Sequence, residues 1–317
     1  HIMQNQTIMR TCINILLILL FSLRLSGQVS YNYPQYHNFM WEFYTAEKYD
    51  SASSVLNRMM EKYELFPRNL KVYINVAAKG NDKNAIHKLL VELARSTDIS
   101  IEEYKELVSS LSNNNFTVHD SILNTFEKNK MIFYKRLDID KIIDLKGVLT
   151  KDQYLRKNLH KNFQKCIEST KEFDEENMEE LLKITNNSIP NYREIGKLGF
   201  KAIYIVLMHY SSYDSTHFSF VDSLLINNVR IGKIESWRYA NIVDRFHYFN
   251  YNYQIYGTFT EPNSDGSRTP KKIINISELD DRRYLLGLGD YDSFAKSFNI
   301  DKLPEGYKKK DFEYQSL

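Results

Sequence analysis

The sequence predicts a mainly α protein: a short array of helical hairpins, followed by an α-rich domain that carries one small β-hairpin. Three observations predict it. Small and apolar residues recur at helical spacing with a period of about 34 residues in the first third of the chain. Residues 199–210 are apolar almost all round, as a helix buried on every side must be. Between Gln254 and Ile276 the pattern shortens to strand-like segments around Asp265-Gly266, a hairpin-turn signal.

Composition fits this class. Of 317 residues 43% are apolar, enough for a real core, and 26% are charged, which argues against a membrane bundle. The 23 Tyr and 18 Phe favour aromatic packing. Near the N-terminus Arg10 precedes an apolar run, 13–21, and Leu25-Ser26-Gly27 offers a small residue before Gln28. This reads as a signal peptide, about residues 9–27, so an exported protein is expected, periplasmic, surface-associated or secreted. The run is shorter than the roughly 20 residues that span a bilayer, and no transmembrane segment is expected in the mature chain. Without Arg10 and Arg24 the basic and acidic residues balance, which leaves no electrostatic case for nucleic acid or an anionic membrane. Cys12 leaves with the signal, so Cys166 stands alone and no internal disulfide is expected.

The elements follow in order. Ala52, Leu56 and Met60 fall four apart on one face; Ala85, Leu89 and Leu93 repeat that spacing, and Trp41 aligns with Ile74. Such a period, with small residues where helices meet, predicts tetratricopeptide-like pairs over residues 28–127, with Asn81-Asp82 as a turn and Asn113-Asn114-Asn115 breaking a degenerate third pair. Arrays of this kind commonly dock protein partners. Residues 128–147 read as a connecting helix with Gly147 as its C-terminal cap, and the α-rich domain as 148–300, followed by a charged tail, 301–317. Within that domain a charged helix runs through Lys171. Asp174 caps the next helix, with Asn177 in its first turn; Asn186-Asn187 ends it, and Pro190 leads into the apolar helix. Further helices are expected over about 216–227 and 233–250, and a last short one before 298.

An ordered series of short signatures runs through the second half: Asp152-Gln153 with Arg156, Asp174 with Asn177, Pro190 with Gly196, and Gly199 and Ala202 before His209. It continues through Asp244-Arg245, Gln254 with Tyr256-Gly257-Thr258, Pro270, and Arg282-Arg283 with Gly287-Leu288. In order and spacing residues 148–298 resemble the bacterial domain of unknown function 6624 family. The resemblance implies a fold and a set of positions, and no reaction. Where that family often has Ala-Asp after the histidine, this chain has Tyr210-Ser211.

The candidate chemistry sits on these signatures. His209, at the end of an apolar helix, is either a general base or metal ligand tuned by desolvation, or a core histidine complementing the helix terminus. Asp244 shares a helical face with Trp237, Ala240, His247 and Tyr251, so it must be paired or protonated, with His247, His209 or Arg282 as candidate partners. One reading makes Asp244 and His209 an acid/base pair of a hydrolase-type enzyme. The other makes the domain a binding module with a polar pocket for a small anionic or polar ligand, alongside a partner-docking helical region. Asp152, Gln153, Arg156, Arg245, Gln254, Tyr256, Thr258, Arg282 and Arg283 are the ligand-binding candidates, the guanidinium forks suiting a carboxylate or phosphate. The chain has no Gly-x-Ser-x-Gly, phosphate-binding glycine loop, His-Glu-x-x-His or Cys-x-x-Cys, so no metal or cofactor is expected from motifs.

Overall fold

The computed structural model describes residues 31–112, 120–159 and 163–310. The expected signal peptide, the Asn113-Asn114-Asn115 break and residues 311–317 of the tail lie outside the described residues, as does the side chain of Cys166. Among the described residues the fold is mainly helical, with one two-stranded antiparallel sheet. The helices are α1 (Tyr33–Thr45), α2 (Tyr49–Lys62), α3 (Leu70–Lys79), α4 (Lys83–Ser96), α5 (Ile101–Ser112), α6 (Asp120–Asn124) and α7 (Phe126–Arg136). They continue as α8 (Ile139–Leu159), α9 (Phe163–Thr185), α10 (Tyr192–Tyr210), α11 (Ser215–Arg230), α12 (Ser236–Tyr251), α13 (Leu279–Leu285) and α14 (Tyr291–Ser297). Strands β1 (Thr260–Pro262) and β2 (Arg268–Pro270) pair with Thr260 opposite Pro270. Gly266 closes their turn at positive φ.

In the first part α1 packs on α2, α2 on α3 and α3 on α4. Ala52, Leu56, Ala85, Leu89 and Leu93 are buried where these helices meet. In α2 the buried methionine is Met59, whereas Met60 is half-buried. Asp82 caps α4 by accepting from the Ala85 amide at 2.9 Å, and Asn81 turns the chain at positive φ.

The second part winds around α10. Its apolar sequence buries Ile195, Phe200, Ala202, Ile203, Val206 and Leu207, and it packs on α8, α9, α11 and α12. Gly196 breaks the helical path at φ 60°, ψ −170°, a backbone region that glycine alone enters freely. The two parts share contacts. α1 packs on α11 and α13, and the buried Arg193 of α10 donates to Glu92 at 2.8 Å, to Ser96 at 2.9 Å and to the Leu65 carbonyl at 2.9 Å.

Three local expectations are corrected. The helix expected over 128–147 is broken at Leu137-Asp138, where the Asp138 amide turns away to the Glu194 carbonyl at 2.8 Å. Gly147 caps nothing; it lies inside α8, which runs on to Leu159 because Leu145, Val148 and Leu149 are buried on one side of it. Asp174 is also internal, two turns or more from either end of α9, since Thr170 and Met178 on either side of it are buried and helix propensity is overridden by packing.

Arg193 supplies several hydrogen bonds between α10 and the first part, so Arg193→Ala should cost about 1–3 kcal/mol by stranding buried acceptors. Urea denaturation measures it, and a loss within about 0.5 kcal/mol, the range of ordinary surface changes, contradicts this role.

Candidate functional site

The residues named from the sequence separate into two groups. The first lies where α8, α9 and α10 meet. Asp152 and Arg156 stand one turn apart on α8, Asp174 faces them from α9, and His209 comes from the end of α10. His209 Nδ1 lies 2.9 Å from Asp152 Oδ1, and Arg156 Nε lies 3.3 Å from the same oxygen. Gln153 donates to Asp152 Oδ2 at 2.6 Å. The other end of the Arg156 guanidinium binds both oxygens of Asp174 in a short contact, and the Tyr213 hydroxyl donates to Asp174 as closely. Thr170 supports that hydroxyl at 3.2 Å.

The centre is nearly closed to solvent. Side-chain exposure is 0% for Asp152, 2% for Asp174, 9% for His209 and 16% for Arg156. Burial lowers the His209 pKa and the Asp152 hydrogen bond only partly restores it, so the ring is neutral near pH 7. Opposite a carboxylate, a neutral ring donates through Nδ1 and leaves a lone pair on Nε2. Burial alone would raise the Asp152 carboxyl, but the hydrogen bond from His209 and the charge of Arg156 outweigh it and hold the group below its ordinary value. Arg245 adds a second cation nearby. Burial, then repulsion from Arg156, brings it down to about 10, and its guanidinium lies 4.8 Å from the Phe249 ring centre.

Asn177, which the sequence placed in the first turn of a helix and among the signatures but not among the candidate site residues, also belongs to this first group. It stands one turn from Asp174 on the same face of α9. It is wholly buried, and neither Oδ1 nor Nδ2 has a hydrogen-bond partner among the described residues. α9 packs on α8 and α10, the helices of Asp152 and His209. Asp174, Tyr213 and Thr170 were likewise missed as site residues. The signal that could have found Asp174 and Asn177 is their i, i+3 spacing, two polar groups on a helical face that otherwise carries Met178 and Leu181.

The second group is structural, and here the expected Asp244–His209 pair does not form. Asp244 is wholly buried, and all its acceptor capacity goes to the turn after α12. Oδ1 accepts from the Ile255 and Tyr256 amides at 2.7 Å, and Oδ2 from the Thr258 amide and hydroxyl at 2.7 Å. Neither His247 nor Arg282 serves as its partner. His247 stacks on Tyr253 with ring centres 5.5 Å apart. Gln254, also wholly buried, donates to the Phe259 and Lys271 carbonyls at 2.9 and 2.8 Å, clamping the hairpin. Arg282 spends its donors on the carbonyls of Ile255, Ile274 and Asn275, and Arg283 on those of Tyr256, Leu288 and Gly289. These forks tie the tail to the turn through backbone carbonyls. Tyr256 is pushed up to about 12 by burial first and by Asp244 second. Gly257 is required at φ 76°, where a Cβ would meet the Tyr291 ring at 2.5 Å.

Comparison with protein families, curated proteins and solved structures finds no match for this chain. The geometry therefore carries the functional reading by itself.

Two outcomes follow. Asp244→Ala strands three backbone amides at about 1–3 kcal/mol each, a loss comparable with the whole stability of a domain, so the variant should be unfolded by circular dichroism or melt far below the parent. Wild-type-like melting sinks this assignment. The second concerns pH. His37 is brought down to about 4 by burial, and His209 is lowered by the same cause. A base depressed in the fold binds fewer protons than in the unfolded chain, so stability is full above the unfolded value of about 6.5 and falls as pH drops below it. Glu42, raised to about 8 by burial, acts in the opposite sense over the same range. The fall carried by the two rings is therefore read as the difference in denaturation midpoint between the parent and His37→Gln/His209→Gln from pH 7.5 to 5; identical profiles contradict the neutral, buried imidazoles.

Proposed function

We propose that this chain is an exported binding protein. On this reading the α-rich part binds a small polar ligand at the Asp152–Arg156–Asp174–His209 centre, and the N-terminal helical pairs, tetratricopeptide-like in their spacing, dock a protein partner. The single observation that carries the ligand reading is Asn177: a wholly buried amide with both polar atoms unpartnered, on the helix face that bears Asp174. Leaving such a group unmade costs about 1–3 kcal/mol, and a bound species that hydrogen-bonds to it recovers this. Family resemblance belongs to the same proposal. Asp152, Arg156, Asp174 and His209 all come from its signatures, and their convergence from three helices supports reading residues 148–298 in that way.

Binding is favoured over hydrolysis because the Asp244–His209 acid/base pair expected from the sequence does not form, Asp244 being committed to the turn 255–258. The test is to denature protein purified from its source and identify the small species released by mass spectrometry, beside Asn177→Leu. A polar species released stoichiometrically from the parent and lost from the variant is expected. If neither releases anything and Asn177→Leu simply melts higher, the amide is a packing defect and the ligand reading fails.

A further inference from the structure

Resting on that binding reading, we infer that Asp152, Asp174 and His209 form a site for one divalent transition-metal ion, with the Asn177 amide oxygen as a fourth donor. Their donor atoms, one from each of the three residues, all lie within 4.8 Å of one another. Ligands at about 2.1 Å from an octahedral ion stand about 3.0 Å apart when adjacent and about 4.2 Å apart when opposite. The 2.9 Å between His209 Nδ1 and Asp152 Oδ1 suits an adjacent pair. Two carboxylates with an imidazole favour Zn2+, Mn2+ or Fe2+ over Ca2+, which takes oxygen donors only.

Size narrows the ligand further. Organic ligands occupy clefts of about 300–1,000 Å3. Here the three donors are at most 9% exposed, which suits a single ion. Asn177 gives the independent sign of a ligand, because a buried amide with neither atom bonded points at a missing partner.

Charge makes the site conditional. Arg156 is the cation these carboxylates hold at rest, and its guanidinium is the most exposed member of the centre. A divalent ion neutralises both carboxylates, so Arg156 must swing outward when the ion enters; retaining both would leave excess positive charge beside Arg245. The neutral His209 ring ligates through Nδ1 by carrying its proton on Nε2 instead, with no net proton released. The chain thus exchanges an arginine for a metal ion at one pair of carboxylates.

The experiment uses the full chain stripped with EDTA, titrated with Zn2+ by calorimetry and with Co2+ by visible absorption. One ion per chain and a Co2+ d–d spectrum with imidazole in its ligand field are expected. Affinity should fall at least tenfold in Asp174→Asn and in His209→Ala, and severalfold in Asn177→Leu. Arg156→Met removes the competing cation and should bind at least tenfold more tightly, a gain that loss of folding cannot imitate. Affinity unchanged across all four variants means adventitious surface binding and overturns the inference, as does absence of binding in both the parent and Arg156→Met. If the parent binds no ion yet releases an organic polar species, the metal assignment fails while the binding reading stands. If it does neither, both fail.

Discussion

Two aspartates held inside a helical packing interface by one arginine are the constraint around which the second half of this protein is arranged. Isolated carboxylates do not survive burial, and the energy returned by a buried ion pair seldom exceeds what desolvation costs. Asp152 and Asp174 are nevertheless almost wholly enclosed, bridged by Arg156 and flanked by His209 and Tyr213. A hydrophobic core of the same volume would stabilise α8, α9 and α10 at least as well. What the charged arrangement adds is a fixed set of donors and acceptors, and α10 is the rod that sets their register.

The other buried carboxylate shows how the same chemistry serves a purely architectural end. Asp244 gathers three amides and a hydroxyl from the turn 255–258, so the chain leaving α12 is folded back before it enters the hairpin. Gln254 then clamps β-hairpin carbonyls, and Arg282 and Arg283 draw α13 and the segment before α14 onto the same turn. The difference between the two carboxylates lies in their partners. Asp244 is satisfied by backbone groups that cannot leave, whereas Asp152 and Asp174 are satisfied by side chains, and one of those, Arg156, reaches the rim.

Much of this was legible in the residues. The apolar run of α10, the repeated spacing of Ala52, Leu56, Ala85 and Leu89, and the Asp265-Gly266 turn each carry a local period, and local periods survive into the fold. Asp152, Arg156 and His209 were also identifiable as candidates. Their grouping was not, because it depends on which turns of three helices come level, and the sequence pattern of one helix contains no record of its neighbours. Asp174 read as a helix cap since an aspartate before a charged run favours that position; burial between α8 and α10 carried the helix through it instead. Asp244 misled for a related reason, since its helical face offered His247 while its partners were backbone amides beyond the helix end.

Sequence by itself thus determined the α-rich class, the central apolar helix, the site of the hairpin and most of the polar residues that matter, because hydrophobic period and turn chemistry act over a few residues. Tertiary structure decided which carboxylate meets the histidine, that Asn177 is left without a partner, and that the arginines of α13 are spent on carbonyls. Those outcomes follow from long-range packing, where a hydrogen bond is made only if separate helices arrive at the same height and angle.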